Sequence, residues 1–198
     1  MPRGPHQLDG HRVADALEQA LPGIVMLGTD EWVEVAPARL GEALRWLHDS
    51  EEFDAAQLSN MCGVDLHDHF TLVYHLQSLD QNHQIVVKAQ VWDHEAPSLP
   101  SSYPVYRGAL LQEREVYDLM GVNFEGHPDM RRLFLWDGFP GHPLRKDFMG
   151  IGDGLTSGLR RFPFEDSANP DRLINRDNVT ASSESQETPR NWTGGAPA

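Results

Sequence analysis

The sequence predicts an α+β protein, with helices packed on a mostly antiparallel sheet and followed by an extended strap and a C-terminal tail. Three observations carry that expectation. Apolar residues recur at helical spacing in the first fifty residues, they alternate with polar ones between Phe70 and Trp92, and beyond Gly121 both periodicities stop while large apolar residues continue.

Taken in order, Val13, Leu17, Ala20 and Leu21 form the stripe of a first helix that Pro22-Gly23 ends. Ile24 to Leu27 and Trp32 to Val35 read as an extended pair around a Gly28-Thr29-Asp30 turn. Pro37 suits the first turn of a second helix, striped by Leu40, Ala43, Leu44 and Leu47. The runs 53–58 and 61–66 suggest one further strand. Phe70, Leu72, Tyr74 and Leu76 alternate with polar or smaller partners, and after a polar turn at 80–83 the segment Gln84 to Trp92 answers as an antiparallel neighbour. Pro97 and Pro100 break the chain, Ser101 or Ser102 is expected to cap a third helix, and Tyr106, Leu110, Tyr117 and Met120 are expected along one of its faces. This gives a globular unit over 1–122, an ordered strap over 123–149 and a tail over 150–198, extended or disordered until partners order it.

The chain has 198 residues and a formal net charge of −14. Residues 1–100 carry five basic against sixteen acidic residues, a net −11, whereas 101–150 are nearly balanced with six against seven. Such a surplus repels polyphosphate, so nucleic acid is not an expected partner. No apolar run approaches the roughly 18–20 residues that span a bilayer. The N-terminal MPRGPHQLDG shows neither a secretory nor a transit pattern, so the protein is expected to stay where it is made, and the Asn-x-Thr triplets at 178 and 191 are taken as chance matches. A single cysteine, Cys62, excludes a disulfide framework and a thiolate-held cluster, and its surroundings favour a buried thiol over a nucleophile. Phosphate loops, dinucleotide fingerprints and nucleophile elbows are missing from the sequence, so no autonomous active site is expected.

Two constellations stand out. Glu113, Arg114, Glu115 and Asp118 fall on one helix at spacings of three and four, beside Arg131, Arg132, Arg145 and Lys146 further on. Paired carboxylates can perform acid–base chemistry, but with countercharges so abundant an ion-pair network is the favoured reading. The second constellation repeats: Gly126-His127-Pro128-Asp129 with Arg131 and Arg132, then Gly141-His142-Pro143 with Arg145, Lys146 and Asp147. Proline holds each histidine extended and glycine permits a turn, so each unit is a rigid corner. His127, His142, Asp129 and Asp147 could ligate a metal, but no pair has i, i+4 spacing, and hydrogen bonds that lock the corners are the favoured reading.

The stretch from Glu113 through Arg132, ending in Gly141-His142-Pro143-Leu144-Arg145-Lys146-Asp147-Phe148, closely resembles the signature of the C-type subunits of the proton-pumping NADH-quinone oxidoreductases, the 30 kDa subunit family of respiratory complex I. The likeness extends more loosely over residues 10–148. It departs from the family at Gly108-Ala109-Leu110-Leu111-Gln112, where a tryptophan is usual, and at Phe134-Leu135-Trp136.

The resemblance implies a non-catalytic subunit without flavin, cluster or quinone site of its own. FMN, iron–sulfur clusters and quinone would belong to partner subunits. It implies a hetero-oligomer in which this chain meets the large quinone-site subunit (D type) and cluster-bearing subunits (B and I type), peripheral on the cytoplasmic side of the bacterial membrane. A related parent, a membrane-bound hydrogenase or a ferredoxin- or F420-dependent complex, would use an equivalent subunit. In these roles Glu113, Arg114, Glu115 and Asp118 would fix the strap. His127, Asp129, Arg131, Arg132, His142, Arg145, Lys146 and Asp147, on corners made by Gly126, Pro128, Gly141 and Pro143, would fix it too or meet a partner.

Overall fold

A computed structural model describes residues 4–148; the tail expected over 150–198 lies outside them. A two-residue strand β1 (His6–Gln7) leads into α1 (Gly10–Ala20), whose Asp9 cap accepts a hydrogen bond from the His11 N–H. Strands β2 (Val25–Gly28) and β3 (Val33–Val35) follow, then a short 3₁₀ turn at Pro37–Arg39 that runs into α2 (Leu40–Asp49). Three long strands come next, β4 (Gln57–Asp65), β5 (Phe70–Ser78) and β6 (His83–Val91). The small strand β7 (Ser98–Pro100), helix α3 (Ala109–Met120) and strand β8 (Asn123–Glu125) complete the folded unit.

The main sheet runs β2-β3-β6-β5-β4, antiparallel except where β3 and β1 pair with β6 in parallel. Its inner face carries Phe70, Leu72, Tyr74 and Leu76 of β5 and Ile85, Val87 and Ala89 of β6, and these join the stripes Val13/Leu17 of α1 and Leu40/Leu44/Leu47 of α2 in one core. Each of the larger side chains there contributes roughly 1.5–3 kcal/mol by leaving water. Helix α3 packs on β4 at a place where only glycine fits, since a Cβ on Gly63 would lie 2.6 Å from the Met120 sulfur.

The outer face of this sheet carries no helix among the described residues. The register places Leu27, Glu34, Lys88, Val73 and Cys62 in one row across five strands, flanked by Val86, His75 and Asn60 on one side and Gln90, Thr71 and Val64 on the other. This one-sided burial produces the alternation seen in the sequence.

The one further strand suggested by the runs 53–58 and 61–66 is β4, interrupted by a bulge at Ser59 that lets both Leu58 and Met61 face inward. Two expectations are corrected. Pro97 to Pro100 does not simply break the chain: β7 pairs in parallel with β8, and Pro100 is tolerated because only one side of the strand has a partner. Ser101 and Ser102 do not cap α3, which starts at Ala109 after Gly108 with no side-chain cap; the buried residues of α3 are Ala109, Glu113, Val116, Asp118 and Met120, with Leu110 and Tyr117 only half-buried.

Candidate functional site

Helix α3 carries two fully buried carboxylates, Glu113 and Asp118, five positions apart and therefore on different sides of the helix. Each is satisfied by a different segment. Glu113 faces back to the turn after β7: the Ser101 and Ser102 hydroxyls donate to it at 2.6 and 2.5 Å, and the Ser102 backbone N–H donates at 2.6 Å. This explains why those serines do not cap the helix. Tyr74 is fully buried, and burial, with the nearby Glu113 charge adding to it, pushes its phenol well above the ordinary tyrosine range.

Asp118 faces forward to the part of the strap, Gly126–Phe148, that has neither helix nor strand; the strap's first residues, Asn123–Glu125, form β8. One oxygen of its carboxylate accepts three consecutive backbone N–H groups, from Leu133, Phe134 and Leu135, at 2.9, 2.7 and 2.9 Å. The other accepts Arg132 Nη1 at 2.9 Å. Burial alone would raise this carboxyl's pKa, but the amides of Leu135 and Phe134, the Arg132 guanidinium and the Leu133 amide together hold it below the ordinary range.

Of the signature's charges, Arg114 and Asp118 therefore pair across to the strap instead of along the helix. Arg114 does not meet Asp118; its guanidinium donates to the Arg131 and Arg132 carbonyls at 3.0 and 2.9 Å and lies 3.5 Å from Asp129. Asp129 also pairs with the exposed Arg131. Glu115 is exposed on the helix and takes no part in this network.

The strap also closes the C-terminal end of α3, whose last carbonyls would otherwise lack donors. His142 Nδ1 and Arg132 Nη1 donate to the Asp118 carbonyl at 2.9 and 3.3 Å, the Leu144 N–H donates to Leu119, and Arg145 Nε donates to Met120 at 2.7 Å. Cations at this end also complement the helix dipole. Gly121, at φ +78°, ends the helix, and a Cβ there would strike the His142 ring at 2.7 Å. Burial lowers the His142 pKa, with the Arg132 and Arg145 charges assisting and the Asp118 carbonyl opposing.

The two Gly-His-Pro corners serve opposite ends of α3. Both glycines adopt left-handed backbone, φ +82° at Gly126 and +91° at Gly141, and Pro128 and Pro143 follow their histidines. His127 sits with its Nε2 3.0 Å from the Leu110 carbonyl and its Nδ1 accepting the Asp129 N–H at 3.0 Å, which fixes the proton on Nε2. Leu110 and Asp118 are eight residues apart, about 12 Å along a helix, so the structure does not bring His127 and His142 together. Among the described residues no group of three His, Cys, Asp or Glu side chains is arranged to hold a metal.

The last latch was not anticipated from the residues. Asp65, buried at the end of β4, accepts the Lys146 and His67 backbone N–H groups at 2.8 and 2.7 Å, and the imidazole of His94, stacked on Phe70, lies 3.6 Å away. Lys146 contributes its backbone here, and the side chains of Lys146 and Asp147 are exposed. Burial raises the Asp65 pKa, but the Lys146 and His67 amides and the His94 charge outweigh it, and the net direction is downward.

This geometry gives a pH dependence with a definite sign. Asp65 and Asp118 both titrate lower when folded than the ordinary aspartate value of about 3.9, so their stabilisation is complete above that value and is lost as pH falls through the lowered native values. Stability contributed by the strap should thus fall steeply below about 4. The lowered His142 pKa adds an earlier decline of the same sign, beginning as pH drops through the unfolded histidine value of about 6.5. Proteolysis of the strap measured between pH 3 and 8 checks this; protection unchanged down to pH 3 would mean that neither carboxylate holds the strap.

Fold and site together define a two-layer α+β protein in which buried carboxylates clamp an extended strap. Residues 33–153 match the family described as "Respiratory-chain NADH dehydrogenase, 30 Kd subunit", and the chain belongs to that family. It is 42% identical over 142 residues to the C subunit of the NADH-quinone oxidoreductase of Maricaulis maris, covering 70% of each chain. It is 36% identical over 150 residues to the C/D subunit of the NADH-quinone oxidoreductase of Phocaeicola vulgatus, where the match takes 75% of this chain and 25% of that protein. A chain of the membrane-bound sulfane sulfur reductase, an archaeal respiratory membrane complex, shares the fold with a TM-score of 0.57 at 24% identity, over 81% of this chain and 95% of that one.

Proposed function

We propose that this chain is a structural subunit of the peripheral arm of a proton-translocating NADH-quinone oxidoreductase. It supports transfer of electrons from NADH to quinone without holding a redox centre, while FMN, iron–sulfur clusters and quinone are bound by its partners. The observation that carries this reading is the use made of the signature residues: Glu113, Asp118, Arg114 and Arg132 are taken up by bonds between α3, the 101–102 turn and the strap. Buried groups already saturated in this way hold a shape and are not free to move protons.

The partners proposed are the large D-type subunit and the cluster-bearing B- and I-type subunits, and the relative named as a C/D subunit supports the first of these. No helix among the described residues is long and apolar enough to cross a membrane, which fits a peripheral place on the cytoplasmic side, reached through the complex.

Arg145→Ala removes the donor to the Met120 carbonyl and the cation 5.2 Å from the Phe70 ring. The expected result is a several-fold fall in assembled complex on native gels, with unchanged NADH-quinone turnover per complex that does assemble. Normal complex content with reduced turnover would indicate a catalytic role and overturn the reading.

A further inference from the structure

An aspartyl bond rearranges when the next backbone nitrogen reaches the side-chain carboxyl carbon and closes a five-membered ring. Asp-Gly is the pair most open to this, because glycine puts no Cβ in the way of the approach. The described residues contain it twice, as Asp9-Gly10 and Asp137-Gly138. The fold treats the two in opposite ways.

At Asp9-Gly10 both reacting groups are tied. The Asp9 carboxylate caps α1 by accepting the His11 N–H at 2.9 Å, and the Gly10 N–H donates to the Asp30 carbonyl at 3.2 Å. Gly10 is buried, with the Thr29 and Trp32 carbonyls crowded against it. At Asp137-Gly138 neither group is tied. Both residues are exposed in a turn of the strap, and nothing lies within 4 Å of where a Cβ on Gly138 would stand. Among the described residues the Asp137 carboxylate has no hydrogen-bond or ion-pair partner, and the Gly138 N–H donates to no acceptor.

This turn is the tip of a loop that Arg132 closes. Arg132 Nη2 donates to the Phe139 and Gly141 carbonyls at 3.1 and 3.2 Å, on the far side of the tip. Within the loop the Phe139 N–H donates to the Trp136 carbonyl at 3.1 Å, and the two rings meet edge-on with centroids 4.8 Å apart. These bonds bridge Asp137-Gly138 and so set the length of main chain between them.

We propose that Asp137-Gly138 is a modification site at which the folded chain forms isoaspartate, and that the change releases the strap. The Gly138 nitrogen attacks Asp137 Cγ; the N–Cγ bond forms, the Cγ–OH bond breaks, and the hydroxyl leaves as water with the amide proton. The resulting succinimide takes up one water. Opening at Cγ restores aspartate. Opening at the α-carbonyl leaves the α-carboxylate as the side group and carries the main chain through Cβ and Cγ, one atom longer. Only water leaves and enters, so no cofactor or enzyme is needed. The added atom lies inside the loop, and the bonds at Trp136 and Arg132 lose their register.

The purified full-length chain, held at neutral pH and 37 °C for several weeks and then digested with trypsin, yields the peptides 4–12 and 133–145. Electron-transfer fragmentation distinguishes isoaspartate from aspartate in each. Isoaspartate should accumulate at 137 at least tenfold faster than at 9, and the two rates should converge when the chain is aged in guanidinium chloride. Equal rates in the folded chain would overturn the proposal, and so would a tenfold gap that persists in denaturant, since neighbouring residues and not the fold would then set it. Limited trypsin cleavage after Arg131 and Arg132 of the native chain should rise in proportion to its isoaspartate content. Asp137→Glu, which could close only a slower six-membered ring, should keep its protection on ageing. Loss of protection at the parental rate in that variant, or an isoaspartate form as resistant as fresh protein, would show that the modification does not release the strap.

Discussion

Replacing Asp118 with alanine is expected to free the strap while leaving the sheet and the first two helices folded. The substitution strips the acceptor from Arg132 and from three backbone N–H groups at once. It leaves a guanidinium whose side chain is only 19% exposed without its counter-ion. Removing one partner of such a buried pair typically destabilises by about 3–5 kcal/mol. Because Arg132 also reaches the Phe139 and Gly141 carbonyls, the loss should spread along the strap. Trypsin, which cuts after Arg131 and Arg132, should cleave the variant rapidly where the parent resists. An Asp118→Ala chain as resistant as the parent would mean that the strap is held by something other than this carboxylate.

Glu113→Ala should be nearly as damaging for a different reason. The carboxylate neutralises no arginine or lysine; it satisfies two hydroxyls and one backbone N–H in a site closed to water. Each buried donor left without an acceptor costs about 1–3 kcal/mol, and the hydroxyls can partly turn elsewhere, so a total of about 3 kcal/mol is expected. For a chain of this size that corresponds to a fall in Tm of roughly 6–12 °C. Glu113→Gln retains one acceptor oxygen and should recover about half of the loss. If Glu113→Ala melts with the parent while complex activity falls, the group acts in the chemistry of the complex and not in holding the 101–102 turn.

The contrast between these helices explains what could be read from the sequence. Val13 and Leu17 of the α1 stripe and all four residues of the α2 stripe are aliphatic residues that are in fact buried, and the alternation in β5 and β6 reflects a sheet with one covered face. Helix α3 misleads because Glu113 and Asp118 occupy buried positions, so its apolar residues do not trace its inner face. The bulge at Ser59 has the same effect on β4 by shifting which residues point inward. The charged signature is visible, but most of its partners are backbone N–H and C=O groups, which nearly every residue possesses and no sequence pattern singles out. Asp65 is noticeable as an acidic residue ending an otherwise neutral strand; nothing in its neighbours points to Lys146, 81 residues away.

That separation bears on how the strap closes. In an unfolded chain, bringing Lys146 to Asp65 would mean closing a very long loop, and the entropic penalty grows with the logarithm of loop length, about 0.6 kcal/mol per doubling. Once α3 is docked on β4, with Gly63 against Met120, the two anchor points are joined through the folded body. The free loop that remains is only the stretch between the end of α3 and Lys146. The sheet and helix thus meet the larger share of the closure entropy in advance, and the bonds of the strap need only overcome the ordering of a short segment.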